Sequence, residues 1–75
     1  MKAKVVEKYL RKIQEEWGKD DSEFMVEVNT TDKRVTVYDP VHDEWEVNHE
    51  DNLLIIQTDT GTRFIDCEFI TSIHI

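Results

Sequence analysis

Cysteine, proline and glycine are scarce in this chain, and its hydrophobic runs are short. Among 75 residues there are one cysteine, one proline and two glycines. A single thiol, Cys67, cannot form an intramolecular disulfide, so the sequence implies no oxidising compartment. The longest apolar run, residues 53–56, is far too short to cross a bilayer, and lysines and glutamates interrupt any signal-peptide core. We therefore expect one cytoplasmic domain, residues 1–75, with no membrane partner.

Positive charge is also scarce, and it is concentrated at the N-terminus. Nine lysines and arginines oppose 17 aspartates and glutamates, which gives a net charge of -8. Residues 1–18 carry +2 and residues 19–75 carry -10. Direct nucleic-acid binding is disfavoured, because counterion release requires clustered basic side chains. The asymmetry fits either a basic helix lying across an acidic sheet or an acidic surface made for a basic partner.

The first segment has the apolar spacing of an amphipathic helix. Apolar side chains recur at i, i+3, i+4 and i+7 from Ala3 to Trp17, and Gly18 follows as a natural stop. Such a helix is only marginally stable alone, so its stripe must be buried against the rest of the chain. The stripe consists of Val5, Val6, Tyr9, Leu10, Ile13 and Trp17.

Beyond the polar stretch 19–23 the pattern changes from helical to alternating. Phe24, Val26 and Val28 indicate a first strand, and the turn formers of residues 29–32 lead to a second strand as a hairpin. We expect Val35 and Val37 to define the second strand, with the intervening side chains on its other face. Those intervening residues are Thr36 and Tyr38.

Three further strand segments follow Asp39-Pro40, which interrupts the sheet because proline has no backbone N–H to donate to a neighbouring strand. In residues 41–47, Trp45 and Val47 alternate with glutamates, and residues 53–58 are apolar on both faces, which is typical of a central strand. Asp59-Thr60-Gly61 predicts a tight hairpin. The last strand begins at Arg63, with a bend or short helical turn expected near residues 68–71.

The predicted fold class is α+β, with an N-terminal helix followed by about five antiparallel strands in a small barrel or curved sheet. This element order and the closing segment 69–75, Phe-Ile-Thr-Ser-Ile-His-Ile, resemble the Sm-like and SH3-like barrels. The resemblance implies a fold alone. The glycine-containing first motif and the Arg-Gly pair of the Sm family are absent, so no functional residue is carried over.

Catalytic and metal-binding patterns are absent from the sequence. His42, His49 and His74 lie among acidic residues, but no metal-ligand spacing such as HExxH or paired CxxC is present, so we expect solvated loop residues and neither metal nor cofactor. Cys67 lies in phase with Ile65 and is expected to be an inert core thiol in the last strand. We therefore predict a protein that is not an enzyme.

Trp45 is the most informative single residue, because a large aromatic surrounded by charge is a plausible contact anchor. The alternative is that it is the inward residue of the third strand, in phase with Val47. Carboxylates on either side of it, and in the connection that follows, would form a negative face. The predicted partner-binding residues are Asp43, Glu44, Trp45, Glu46, Glu50 and Asp51.

Three functional hypotheses remain open from the sequence. The first is an accessory protein-interaction module whose acidic surface docks a basic protein. The second is a nucleic-acid mimic that inhibits a DNA- or RNA-binding protein. The third is an Sm-like oligomer that binds RNA or a small ligand, with basic contacts from the helix face bearing Lys4, Lys8, Arg11 and Lys12.

Overall fold

The structure is a computed structural model that describes residues 1–19 and 24–75. Within these residues it confirms an α+β fold in which one helix is followed by six antiparallel strands in two three-stranded sheets. The predicted polar stretch 19–23 lies almost entirely outside the described residues. The elements are α1 (Ala3–Trp17), β1 (Val26–Thr30), β2 (Val35–Tyr38), β3 (Glu44–Asn48), β4 (Leu53–Thr58), β5 (Gly61–Asp66), a 3₁₀ turn (Cys67–Phe69) and β6 (Ile70–His74).

The helix α1 has the bounds predicted from its apolar spacing. It buries Ala3, Val6 and Leu10 and contacts β3, β4 and the 3₁₀ turn. Gly18 ends it without a left-handed backbone, and a Cβ there would lie 2.6 Å from the carbonyl oxygen of Gln14. Glycine is therefore favoured at this position because a side chain would clash with the Gln14 carbonyl, and not because the backbone has a positive φ.

The outer part of the helical stripe is less buried than predicted. Tyr9 is 46% exposed and Trp17 is 51% exposed. The Trp17 ring lies 6.3 Å from the Phe24 ring, centroid to centroid, so an aromatic pair covers part of this end of the helix. Only the centre of the stripe is therefore buried, and the side chains at its edge are partly exposed to solvent.

The first sheet has the order β2-β1-β6 and confirms the predicted hairpin. The expected face of β2 is wrong. Val35 and Val37 are about half exposed, whereas Thr36 and Tyr38 are buried. The register explains the inversion, because Tyr38 pairs with Val26 and directly paired residues of antiparallel strands share one face. The large aromatic ring therefore fills the core in place of the two valines.

The second sheet has the order β3-β4-β5, and β4 is its central strand as predicted. Leu54 and Ile56 are fully buried on its inner face. Gly61 has a φ of 133°, which confirms the tight hairpin and its need for glycine. Strand β3 begins only at Glu44, because residues 40–42 form a turn.

The final strand of the sequence prediction is two strands separated by the 3₁₀ turn. The expected helical turn near 68–71 is present at Cys67–Phe69, so Cys67 starts that turn instead of lying mid-strand. The side chain of Asp66 caps the turn by accepting a hydrogen bond from the Glu68 backbone at 2.9 Å. Strand β6 then pairs with β1, which joins the end of the chain to its first strand.

The two sheets of the described residues are not joined by strand pairing. The ladders connect β1 with β2 and β6, and β4 with β3 and β5. The hydrophobic core lies where α1 and the inner faces of the sheets meet, and it contains Val6, Leu10, Tyr38 and Ile56. None of the described helical residues forms a segment long and apolar enough to span a membrane.

Candidate functional site

The loop of residues 39–43, here called the Asp39 loop, leads from β2 into β3 and is fixed by reciprocal hydrogen bonds. The Asp39 carboxylate accepts from the backbone N–H groups of Val41 at 2.9 Å and His42 at 3.2 Å. Asp43 in turn accepts from the Asp39 backbone N–H at 3.0 Å and donates its own N–H to the Asp39 carbonyl at 2.8 Å. Such side-chain to backbone bonds hold the loop in one conformation.

The Asp39 loop presents the Pro40 carbonyl to two side chains at once. The Trp45 indole N–H donates to this carbonyl at 2.9 Å, and the Gln14 side-chain amide of α1 donates to it at 3.1 Å. The Arg11 guanidinium lies 4.8 Å from the centroid of the Trp45 ring, within cation–π range. Helix, loop and strand therefore converge on one fixed indole.

This convergence forms an open groove of about 450 Å³, here called the Trp45 groove. Glu44 and Glu46 extend from β3 and are paired in register with Gln57 and Ile55 of β4. The groove thus combines an aromatic ring and an aliphatic side chain with several carboxylates. Its lining is Arg11, Gln14, Pro40, Val41, Asp43, Glu44, Trp45, Glu46, Ile55 and Gln57.

The Trp45 groove is electrostatically negative. Glu44 and Glu46 are exposed, and within residues 1–19 and 24–75 neither of them, nor Asp43, forms an ion pair with a lysine or arginine. One oxygen of Asp43 is used by the Asp39 loop, as described above. Arg11 is the only cation that lines the described groove, which is also lined by three carboxylates, and Glu44 and Glu46 extend from the face of β3 opposite to Trp45. A further cation would be attracted there.

Four of the six predicted partner-binding residues come together at this groove, namely Asp43, Glu44, Trp45 and Glu46. Glu50 and Asp51 do not line it. They lie in the turn between β3 and β4, where the Asp51 backbone N–H donates to the Asn48 side chain at 2.9 Å. Trp45 is half-buried, so it is both the inward residue of β3 and accessible from the groove.

Sequence reasoning missed the helix side of the groove. Arg11 has the i, i+4 spacing of a helical ion pair with Glu7, but Glu7 instead hydrogen-bonds His49 at 3.2 Å. Arg11 is left to stack on Trp45, and Gln14 lies one turn further along the same helix. The available signal was an arginine and a glutamine three residues apart beside an apolar stripe, which does not by itself identify a contact.

A second, smaller cleft of about 300 Å³ lies at the tip of the β1–β2 hairpin beside β5. It contains two exposed aromatic rings, Phe64 at 67% and Phe69 at 54% exposure. Its charges are balanced, and Arg34 and Asp32 form an ion pair at 3.3 Å. This cleft therefore lacks the unneutralised carboxylates of the Trp45 groove.

Each histidine contacts a carboxylate among the described residues. His42 hydrogen-bonds Asp39 at 2.7 Å, and His74 contacts Glu27. No group of three or more His, Cys, Asp or Glu side chains with metal-binding geometry occurs within the described ranges. Cys67 is buried, and burial raises the pKa of its thiol, which confirms the expected core position of this residue.

Scans against protein-family models, curated proteins and solved structures find no match to this chain.

The Asp39 loop predicts a pH dependence of stability. Burial acts to raise the pKa of Asp39, but hydrogen bonds from the His42 ring and from the backbone N–H groups of Val41 and His42 outweigh it and lower that pKa. A lowered folded-state pKa stabilises the fold above the ordinary value near pH 4, and this contribution is lost as the pH falls through the folded-state pKa.

Asp39→Asn keeps an oxygen acceptor for the two N–H groups and removes the charge. We expect the variant to be less stable than the unmodified protein at pH 6, and the difference to shrink towards zero by pH 2. Urea unfolding at both pH values measures it. A difference that does not change with pH would show that the carboxylate charge contributes nothing to the loop.

Proposed function

We propose that this protein is a non-enzymatic interaction module that docks a basic segment of a partner protein in the Trp45 groove. The observation that carries the proposal is the convergence of a fixed indole, an aliphatic side chain and three carboxylates in one open groove. Aromatic anchors surrounded by complementary charge are typical of protein contact sites.

The geometry of the groove supports a preformed site. Trp45 is oriented by its hydrogen bond to Pro40, and the Asp39 loop is closed by four backbone hydrogen bonds. Little side-chain entropy is then lost when a partner binds, which favours affinity per contact. The exposed carboxylates of Glu44 and Glu46 are available to pair with lysine or arginine.

A closed Sm-like barrel and ring assembly stay part of the third hypothesis. The pairing of β6 with β1 is compatible with such a barrel, although closure requires strand pairing between the two sheets, which the described residues lack. The basic helix face is a poorer RNA surface than predicted, because one of its four basic residues, Arg11, lies on the Trp45 ring. The exposed Lys4, Lys8 and Lys12 are the remaining basic residues of this face. Gel filtration with absorbance at 260 nm distinguishes an RNA-bound ring from a nucleic-acid-free monomer.

The nucleic-acid mimic differs from the leading proposal only in its partner. Glu44 and Glu46 are two residues apart on one face of β3, which places their Cα atoms about 7 Å apart. This spacing is similar to that of consecutive phosphates in a nucleic acid. A single pair of carboxylates, however, imitates only two phosphates. A mimic would compete with duplex DNA or RNA for its partner, whereas a protein-docking module need not.

The test uses Trp45 as its own reporter. The chain has two tryptophans, so Trp17→Phe leaves Trp45 as the single indole. The probe is a Gly/Ser nonapeptide that carries three cationic residues at alternate positions. We expect it to change Trp45 emission in a saturable way, with binding that weakens as salt rises from 50 to 500 mM.

The matched variants separate the groove from net charge. Glu44→Gln with Glu46→Gln is expected to weaken binding about ten-fold, because two exposed pairings of about 0.2–1 kcal/mol each are lost. Glu15→Gln with Glu16→Gln removes the same charge from the helix and should change binding little. Equal losses in the two double variants would contradict docking at the groove, as would the absence of any emission change.

A further inference from the structure

We propose that the basic segment binds by strand addition, as an extended chain that pairs with the free edge of β3 and places cationic side chains at alternate positions beside Glu44 and Glu46. This inference rests on the proposed docking function and specifies how the segment is held. The observation behind it is that β3 is an edge strand whose two faces carry different chemistry within the Trp45 groove.

Strand β3 has β4 as its one neighbour among the described strands. The pairing runs the whole length of β3, from Glu44 opposite Gln57 to Asn48 opposite Leu53. In an antiparallel pair, alternate residues turn their backbone N–H and C=O groups away from the neighbouring strand. Within residues 1–19 and 24–75, no further backbone hydrogen bond reaches β3 on that side. These outward groups are a template for another extended chain.

The register divides the side chains of β3 between two faces. Glu44 and Glu46 lie on one face, whereas Trp45 pairs with the buried Ile56 and lies on the core side. Residues of both faces line the groove, which places the groove along the edge of the strand. A segment paired at this edge would have one row of side chains beside the two carboxylates and the other row beside Trp45 and Arg11.

Charge determines which segment fits this edge. Directly opposite residues of paired strands share a face, so two residues at i and i+2 of the segment would lie beside Glu44 and Glu46. Lysine or arginine is favoured at both, because opposite charges stabilise cross-strand pairs. The residue between them would lie beside Trp45 and the Arg11 guanidinium, where a cation is repelled and an apolar side chain packs on the indole. A second copy of β3 is disfavoured, because its glutamates would lie beside these glutamates.

The other edge strands of the described sheets lack this combination. They are β2, β5 and β6. Strands β2 and β6 carry no carboxylate side chain, and the one carboxylate of β5, Asp66, caps the 3₁₀ turn. Strand β3 is therefore the described edge at which two carboxylates on one face select a basic segment.

The first experiment varies the spacing of the charges and follows Trp45 emission in the Trp17→Phe background at 0.15 M NaCl. Two nonapeptides of the same Val/Thr/Ser composition carry two lysines, two residues apart in one and three residues apart in the other. Lysines two apart share a face of an extended chain, whereas lysines three apart lie on opposite faces. We expect the first peptide to bind about three- to five-fold more tightly, because it gains one further exposed ion pair. Glu44→Gln with Glu46→Gln should abolish this preference.

The second experiment tests the backbone hydrogen bonds by N-methylation of the peptide with lysines two apart. Alternate N–H groups of an added segment point to β3, so methyl groups on two neighbouring nitrogens act differently. One peptide is methylated at the residue between the lysines and the other at the second lysine. We expect one of them to bind at least about ten-fold more weakly, because it loses a hydrogen bond and clashes with the edge, and the other to bind like the unmethylated peptide.

The outcomes separate this inference from the function it rests on. Equal affinities for the two lysine spacings, or equal effects of the two methylations, would overturn strand addition while leaving a general basic-docking groove intact. Tighter binding of lysines three apart would also overturn it, because that spacing is typical of one face of a helix. If none of the peptides changes Trp45 emission, the docking function itself fails.

Discussion

Replacing Leu10 with alanine is expected to remove a large part of the stability of this domain. Leu10 is fully buried in the middle of the helical stripe, and α1 contacts both β3 and β4. Leucine-to-alanine changes in cores cost about 2–5 kcal/mol. A chain of this length has a total stability of about 4–11 kcal/mol, so the variant should be marginally folded at room temperature.

Urea unfolding followed by circular dichroism measures the Leu10→Ala effect. The matched control is Lys8→Ala, an exposed substitution on the same helix that leaves no cavity and should stay within about 0.5 kcal/mol of the unmodified protein. A loss below about 1 kcal/mol for Leu10→Ala would contradict the packing of the helix on the sheets, because a docked helix cannot lose its central side chain without leaving a cavity.

Replacing Tyr38 with phenylalanine is expected to stabilise the protein by about 1 kcal/mol, which is unusual for a core substitution. Tyr38 is fully buried, and its hydroxyl has no hydrogen-bond partner among the described residues. Burial raises the pKa of this phenol, with the nearby charge of Asp43 contributing in the same direction, so the neutral hydroxyl is retained. An unsatisfied buried polar group is destabilising by about 1–3 kcal/mol.

The Tyr38→Phe variant keeps the ring that fills the core and deletes only the oxygen. Tyr9→Phe is the control, since Tyr9 is 46% exposed and the same deletion there should be nearly neutral. Thermal and urea unfolding would both show a higher midpoint for Tyr38→Phe. A variant less stable than the unmodified protein would mean that the hydroxyl has a hydrogen-bond partner in solution.

The elements of the fold that depend on local signals are those that the sequence predicted well. The helix ends at Trp17 because the apolar spacing stops and Gly18 permits a close approach to Gln14. The Gly61 hairpin follows from one residue with a positive φ, and the central position of β4 follows from its apolar run. Each of these signals lies within a few residues of its effect.

The elements that depend on tertiary pairing were predicted less well. Valine is a better strand core residue than threonine on pattern alone, yet β2 buries Tyr38 and Thr36 because its register with β1 places Tyr38 beside Val26. A one-residue change of phase reverses both faces of a strand, and only the partner strand fixes that phase. The division of the last strand into β5 and β6 likewise reflects their pairing with different strands.

The candidate site likewise combines residues that are close in the sequence with residues that only tertiary packing brings together. The acidic residues next to Trp45 in the sequence also line the groove, because they are adjacent on the edge strand β3, although their side chains alternate with Trp45 between its two faces. Glu50 and Asp51, which were predicted to bind the same partner, do not line the groove, since they lie in the turn after β3. Arg11 is more than thirty positions away from Trp45, so only the packing of the helix against β3 brings the guanidinium to the ring.

The Trp45 groove is lined by residues from both the basic and the acidic part of the chain. The mildly basic helix contributes one guanidinium to the groove, and the acidic remainder contributes its carboxylates. The contact of α1 with β3 and β4 brings these two parts of the chain together, and docking of a basic partner stays a proposal. Because one cation and three carboxylates line the groove, the lining has a net negative charge.

The most direct test of the proposed docking groove is an NMR titration of the ¹⁵N-labelled protein with the nonapeptide that carries three cationic residues. We expect the largest shift changes at the Trp45 indole N–H and at the backbone amides of β3 and the Asp39 loop, with saturation at one peptide per chain. Changes confined to the second cleft around Phe64 and Phe69, or spread evenly over all exposed acidic residues, would contradict the proposal that the Trp45 groove is the docking site.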